Sequence, residues 1–227
     1  MIKMENSIYQ SFIFDLDGTL LDTIIDMKVC VNRALAKYHL KEHTIEEYKG
    51  FIGNGSVKLI QRALGEGHQN FYDCVFNSYY EDYKEHFMDF TKPFDGITES
   101  LEYAKSKGVL LFVYTNKPAV IAQKVIEHTF KSDLFEKIIG VPLGGKTKPD
   151  PKAFFDQTKE YSLDYSKAAF FGDSDTDILT AKNLGIKNMY SVAWGYKSLE
   201  FLKQYPIEPK RILLNPREIK KVVDNII

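Results

Sequence analysis

The chain is short of cysteine and tryptophan, carries almost no surplus charge and has no long apolar run. Two cysteines, Cys30 and Cys74, occur in 227 residues. That is too few for a disulfide framework. Both fall in helix-like sequence, where the expectation is a pair of buried thiols in a reducing compartment with no redox or metal role. A formal net charge of −1 leaves no basic footprint for nucleic acid or for an anionic membrane surface. The longest uninterrupted apolar run, Val109 to Tyr114, is far too short to span a bilayer. The opening MIKMENSIYQ lacks the apolar centre of a signal peptide. The expectation is a cytoplasmic protein, monomer or weak homodimer, with neither nucleic acid nor membrane as a partner. Repeats, low-complexity tracts and long linkers are also missing.

What is present divides into two textures. From about residue 94 onward, short apolar runs alternate with helical stretches. The runs are VLLFVYT (109–115), EKIIG (136–140), AAFFG (168–172), IKNMYSVA (186–193) and RILL (211–214). Helices are expected over 96–107, 118–130, 151–161, 175–184, 197–204 and 216–227. Continuous apolar strands alternating with helices imply a parallel sheet buried on both faces. The run SFIFD (11–15) has the same character and belongs to that sheet. Residues 22–92 break the alternation and hold helical patterns at 23–38, 44–49, 56–64 and 71–90. In the last of these, Tyr72, Phe76, Tyr79, Tyr80, Tyr83, Phe87 and Phe90 recur at helical spacing, which suggests the core of a small bundle and not a ligand box. The predicted class is α/β: a Rossmann-like parallel sheet flanked by helices, formed by 1–21 and 93–227, with an all-helical module inserted at 22–92.

Ligands of an open parallel sheet bind beyond the carboxyl ends of its strands. Asp15 ends the first strand, Thr115 and Asn116 end VLLFVYTN, Asp173 follows AAFFG, and Lys148 comes shortly after EKIIG. One rim therefore collects acids, a hydroxyl, an amide and a lysine. Asp15 and Asp17 lie two residues apart in DLDGTLLD and repel one another unless a divalent cation neutralises them. Magnesium suits such a rim, because it takes one or two carboxylates together with a substrate phosphate. Gly18 lets the backbone turn sharply out of the sheet.

Calcium fits less well. DSDTD (173–177) would need glycine where Ile178 stands and glutamate where Leu184 stands, while DLDGTLLDTIID has its glycine two places early and Asp26 at its twelfth place. GVPLGGKT, Gly140 to Thr147, satisfies the P-loop pattern literally, so an NTPase is an alternative of a different class. However, Pro149 and Pro151 push Lys148 and Asp150 out of the helical geometry that a P-loop enters at once. The five histidines lie away from the strand ends. His39 and His43 suit a helix end better than a zinc pair.

In order, DLDGTLLD, VYTN, KPDP and GDSDTD resemble the four motifs of the haloacid dehalogenase superfamily, in its phosphoglycolate-phosphatase-like branch with a helical cap. The resemblance implies that Asp15 is the nucleophile and that Asp17 protonates the leaving oxygen and then deprotonates water. It also implies that Thr115 and Asn116 hold phosphoryl oxygens and that Lys148 adds positive charge. Magnesium would be held by Asp15, the Asp17 carbonyl and Asp173, with Asp177 as an outer metal or lysine partner. Lys146, within LGGKT, competes with Lys148 for the lysine role. Asp17, which the dehalogenases proper lack, argues for phosphoryl transfer. In the cap, GFIGNGSVK (50–58) resembles a loop lowered over substrate, so Asn54, Ser56 and Lys58 are candidates for reading the leaving group. The expected activity is magnesium-dependent hydrolysis of a small phosphorylated metabolite, with phosphoglycolate the leading choice and pyrophosphatase, nucleotidase or hexose-phosphate mutase the alternatives within the superfamily.

Overall fold

Short apolar runs bounded by turn residues become strands, and the amphipathic stretches between them become helices. The computed structural model describes residues 7–142 and 145–227. In chain order the elements are β1 (Ser11–Phe14), β2 (Leu21–Asp22), α1 (Ile24–Ala36), α2 (Ile45–Phe51), α3 (Gly55–Leu64), α4 (Tyr72–His86) and β3 (Lys92–Pro93). There follow α5 (Ile97–Ser106), β4 (Leu110–Pro118), α6 (Ala119–Thr129), β5 (Lys137–Val141), α7 (Lys152–Thr158) and β6 (Ala168–Gly172). The chain closes with α8 (Asp175–Asn183), β7 (Asn188–Val192), α9 (Leu199–Leu202), β8 (Ile212–Leu213) and α10 (Ile219–Val223).

Six strands form one sheet in the order β5-β4-β1-β6-β7-β8, with every pairing parallel. Alternation along each strand sends residues to two covered faces. Phe12, Phe14, Leu111, Val113 and Phe171 pack with Leu101 of α5, Val125 of α6 and Val222 of α10. Ile13, Phe112, Tyr114 and Phe170 face the other way, against Phe154 of α7 and Ala181 of α8. Each phenylalanine fully removed from water contributes about 1.5–3 kcal/mol, so the two faces together supply most of the drive for the α/β core. Phe14 stacks on Phe171 with centroids 4.7 Å apart. Strand order reverses at β1, between β4 and β6, and the crevice beyond the carboxyl ends opens there.

Helices α1–α4 lie between β2 and β3, which pair antiparallel through Leu21 with Pro93 and Asp22 with Lys92. Sequence reading found no strand here, because two residues carry no periodicity. The helix expected over 71–90 is shorter: a 3₁₀ turn occupies Glu66–Phe71, α4 ends at His86, and Phe90 is 56% exposed. Expected helices at 197–204 and 216–227 contract to α9 and α10. Among the described residues, no helix is long and apolar enough to cross a membrane.

Buried Asp26 of α1 holds the chain returning from the helical module. Its carboxylate accepts from the amides of Phe90 (2.9 Å) and Thr91 (2.8 Å) and from the Thr91 hydroxyl (2.6 Å). Removing it leaves three donors without their acceptor. Asp26→Ala is expected to lower the unfolding free energy by about 2–4 kcal/mol in urea titrations. A loss below about 0.5 kcal/mol, the scale of an ordinary surface change, would show that the junction does not depend on this carboxylate.

Candidate active site

The parallel sheet delivers its strand ends to one rim. Asp15 continues β1 and is fixed by its amide, which donates to the Phe171 carbonyl at 2.9 Å. Thr115, Asn116 and Lys117 lie near the end of β4, Asp173 follows β6, and Lys148 sits in the loop after β5. Lys148 is buried, and its ammonium donates to Asp15 Oδ1 at 2.7 Å and to Asp177 Oδ1 at 2.6 Å. The other oxygen of Asp177 caps its own helix, accepting from the Ser174 amide (3.1 Å) and hydroxyl (2.6 Å). One carboxylate thus starts α8 and holds the lysine.

Asp15, Asp173 and Asp177 offer ligand atoms within 4.8 Å of one another, all buried. Asp173 accepts from the Tyr196 amide at 2.6 Å. Two glycines allow this crowding. A Cβ at Gly18, whose φ is +85°, would lie 2.6 Å from Asp173 Oδ2, and one at Gly195 would lie 2.4 Å from both Asp173 Cβ and the Gly18 carbonyl oxygen.

The Asp17 side chain is held elsewhere. Its Oδ1 accepts from Lys117 Nζ and from Thr23 Oγ1, each at 2.8 Å. Lys117, buried at the end of β4, also donates to the Tyr83 hydroxyl of α4 at 2.7 Å. The two acids of DLDGT therefore each have their own lysine.

Asn116 serves Lys148. Its Oδ1 accepts from the Lys148 amide at 2.6 Å, and its Nδ2 donates to the carbonyls of Gly53 (3.0 Å) and Lys148 (3.3 Å). Asn54 bridges the helical module to α8 through Thr176 Oγ1 at 2.8 Å, whereas Lys58 is exposed and stays away from the cavity. Ser56 lines that cavity, together with Asp15, Asp17, Met27, Thr115 and Lys117. Lys146 is exposed and pairs with Asp150 at 2.9 Å. Within the P-loop match, Leu143 and Gly144 lie outside the described residues, and the next helix begins only at Lys152.

Comparison with known proteins agrees with this geometry. Residues 12–190 match the family model of haloacid dehalogenase-like hydrolases. The chain belongs to that family. A phosphoglycolate phosphatase of Aquifex aeolicus is 31% identical over 94% of this chain and 96% of its own. One from Pseudomonas fluorescens is 33% identical over 81% of this chain and 69% of its own. A Lactobacillus delbrueckii structure, provisionally named a phosphoglycolate phosphatase, superposes with a TM-score of 0.85 at 27% identity, covering 95% of this chain and 98% of that one. Within the haloacid dehalogenase-like hydrolases, the chain is a phosphoric monoester hydrolase.

In this hydrolase, Asp15 and Asp177 share the Lys148 ammonium, and buried Asp173 stands beside them. Burial, together with the neighbouring Asp177 and Asp173 charges, pushes Asp15 up to about 8 against the pull of Lys148. Burial and Asp177 likewise push Asp173 up to about 7. Burial alone would lower Lys148, but Asp15 and Asp177 outweigh it and hold the ammonium above the ordinary lysine range. Lys148, with Lys197 drawing on Asp173, does not offset the burial of these acids. A divalent cation fits that deficit, and a set of oxygen donors suits magnesium.

Sequence reading missed Lys117, Tyr79 and Tyr83. Tyr79 and Tyr83 line the cavity, so the α4 stripe is only partly bundle core. Lys117 left a faint signal in its position directly after VYTN.

The shifts fix the sign of a pH effect in the metal-free protein. Unfolded aspartates titrate near 4, so between about pH 5 and 8 the folded state holds the extra protons and loses stability as pH rises. In chelator, Tm is expected to fall across that window and magnesium to flatten the slope. A metal-free Tm that rises with pH would rule out a surplus of buried acid.

Proposed function

We propose that this phosphatase hydrolyses a small phosphate monoester, with phosphoglycolate the leading candidate, through a phosphorylated Asp15 and with magnesium as cofactor. The observation that carries the reading is Lys148 bridging Asp15 and Asp177 inside a cluster of three buried acids. Asp15, Asp173 and the main-chain carbonyl of Asp17 would hold the ion. When bound, it supplies the positive charge that lets an anionic phosphate approach an anionic nucleophile.

A carboxylate of Asp15 attacks phosphorus as the bond to the leaving oxygen breaks, and Asp17 gives that oxygen its proton. Thr115, with the main-chain amide of Asn116, receives phosphoryl oxygens; the side chain of Asn116 is already engaged with Lys148. Lys148 keeps positive charge beside the reacting group. Water then attacks the phosphoaspartate, Asp17 takes its proton, and inorganic phosphate leaves. Asp177 and Gly18 support this arrangement, the first by anchoring Lys148 and the second by clearing space for Asp173.

The helical module, 22–92, serves as a cap. Ser56 faces the leaving group, while Asn54 acts as a latch on α8. The cavity beneath, about 40 Å³, is lined by residues of both the sheet and the helices. Free thiols at Cys30 and Cys74 suit a cytoplasmic setting.

Asp15→Asn is expected to abolish turnover in a folded protein. Asp17→Asn, mixed rapidly with p-nitrophenyl phosphate and magnesium, is expected to release about one phenolate per enzyme and then nearly stop. An acidic phenol departs unaided, but the second step lacks its base. Steady turnover near the unsubstituted rate would remove Asp17 from the base role.

A further inference from the structure

The cavity between the sheet and α1–α4 has walls of two kinds. Met27, Ile52 and Leu59 form an apolar side. Lys117, Tyr79 and Tyr83 form the other. Lysine has three N–H donors, and Lys117 uses two of them, on Asp17 and on Tyr83. The third has no partner among the described hydrogen bonds. Because the Tyr83 oxygen accepts from Lys117, its own proton remains to be donated. Tyr79 stacks on Tyr83, with centroids 5.3 Å apart, and its hydroxyl has no described partner either. Burial holds both phenols far above their ordinary range, so both remain donors. The Asp17 carboxylate, the nearest opposing charge, is already met by Lys117 and Thr23.

We propose that Lys117, Tyr79 and Tyr83 form a second anion subsite, which selects phosphate monoesters whose leaving group carries a carboxylate. The proposal rests on the phosphatase reading given above. A group made only of acceptors can take hydrogen bonds from Lys117, Tyr79 and Tyr83 without needing an acceptor in return. A planar carboxylate presents two oxygens to converging donors and needs little space. Lys117 lies two residues beyond Thr115 on β4, so the subsite stands close to the phosphoryl site and suits a leaving group of very few atoms.

The test compares kcat/KM for 2-phosphoglycolate with that for 2-hydroxyethyl phosphate, its uncharged analogue, using p-nitrophenyl phosphate as a third substrate. The unsubstituted enzyme is expected to prefer the carboxylate by about a hundredfold or more, the scale on which a built polar site rejects an analogue lacking its partner. Tyr79→Phe, which leaves the Lys117–Asp17 pair in place, is expected to cut that ratio about tenfold, and Lys117→Met to bring it near one. Lys117→Met also disturbs Asp17, but that loss falls on both substrates and cancels in the ratio. A ratio near one in the unsubstituted enzyme, with p-nitrophenyl phosphate still hydrolysed, would overturn the subsite and leave the phosphatase standing. So would equal losses on both substrates in the two variants. If none of the three substrates turned over with magnesium, the phosphatase reading would fall and the subsite with it.

Discussion

Three buried carboxylates, two of them bridged by the Lys148 ammonium, are the constraint on which this structure turns. A fold does not normally tolerate that imbalance, because desolvated charge costs several kcal/mol per ion unless it is paired. The sheet creates it deliberately: β1 lies between β4 and β6, so Asp15 and Asp173 must end on neighbouring strands, and α8 starts at the same rim. Glycine at 18 and 195 permits the approach, and Asn116 fixes the backbone of the lysine. What remains is a negative site with a defined deficit, shaped to gain positive charge and then an anionic ester.

Much of this could be read in advance. Continuous apolar runs gave the parallel sheet, and strand-end logic placed Asp15, Thr115, Lys148 and Asp173 together. The four-residue spacing of Asp173 and Asp177 put both at the same rim. The missing parts were missed for physical reasons. A lysine after a strand end ordinarily snorkels into water, yet Lys117 is drawn inward by Asp17 from one side and Tyr83 from the other. Helical spacing groups the aromatics of α4 on one face but does not show that the face is shared between bundle packing and the cavity. The β2–β3 pair is too short to leave a pattern. Asn54 and Lys58 were chosen for lying in a glycine-rich turn, and composition alone could not say that one faces α8 and the other solvent.

The helical module touches the rim through a few polar contacts that do different jobs. Asn54 to Thr176, Asn116 to Gly53 and Lys197 to the Lys49 carbonyl tie backbone and loops together. Lys117 to Tyr83 is different, since it joins a side chain of the helical layer to a group that also holds Asp17. Lys117 thus couples the position of the helical layer to that of the Asp17 side chain.

The double duty of Asp177 has a further consequence. Its two oxygens cap α8 and anchor Lys148, so the first turn of that helix cannot fray without loosening the lysine. Helix start and lysine anchor are thereby coupled through one side chain. Under mild heat or denaturant, fraying at the start of α8 and release of the Lys148 ammonium would therefore be seen together.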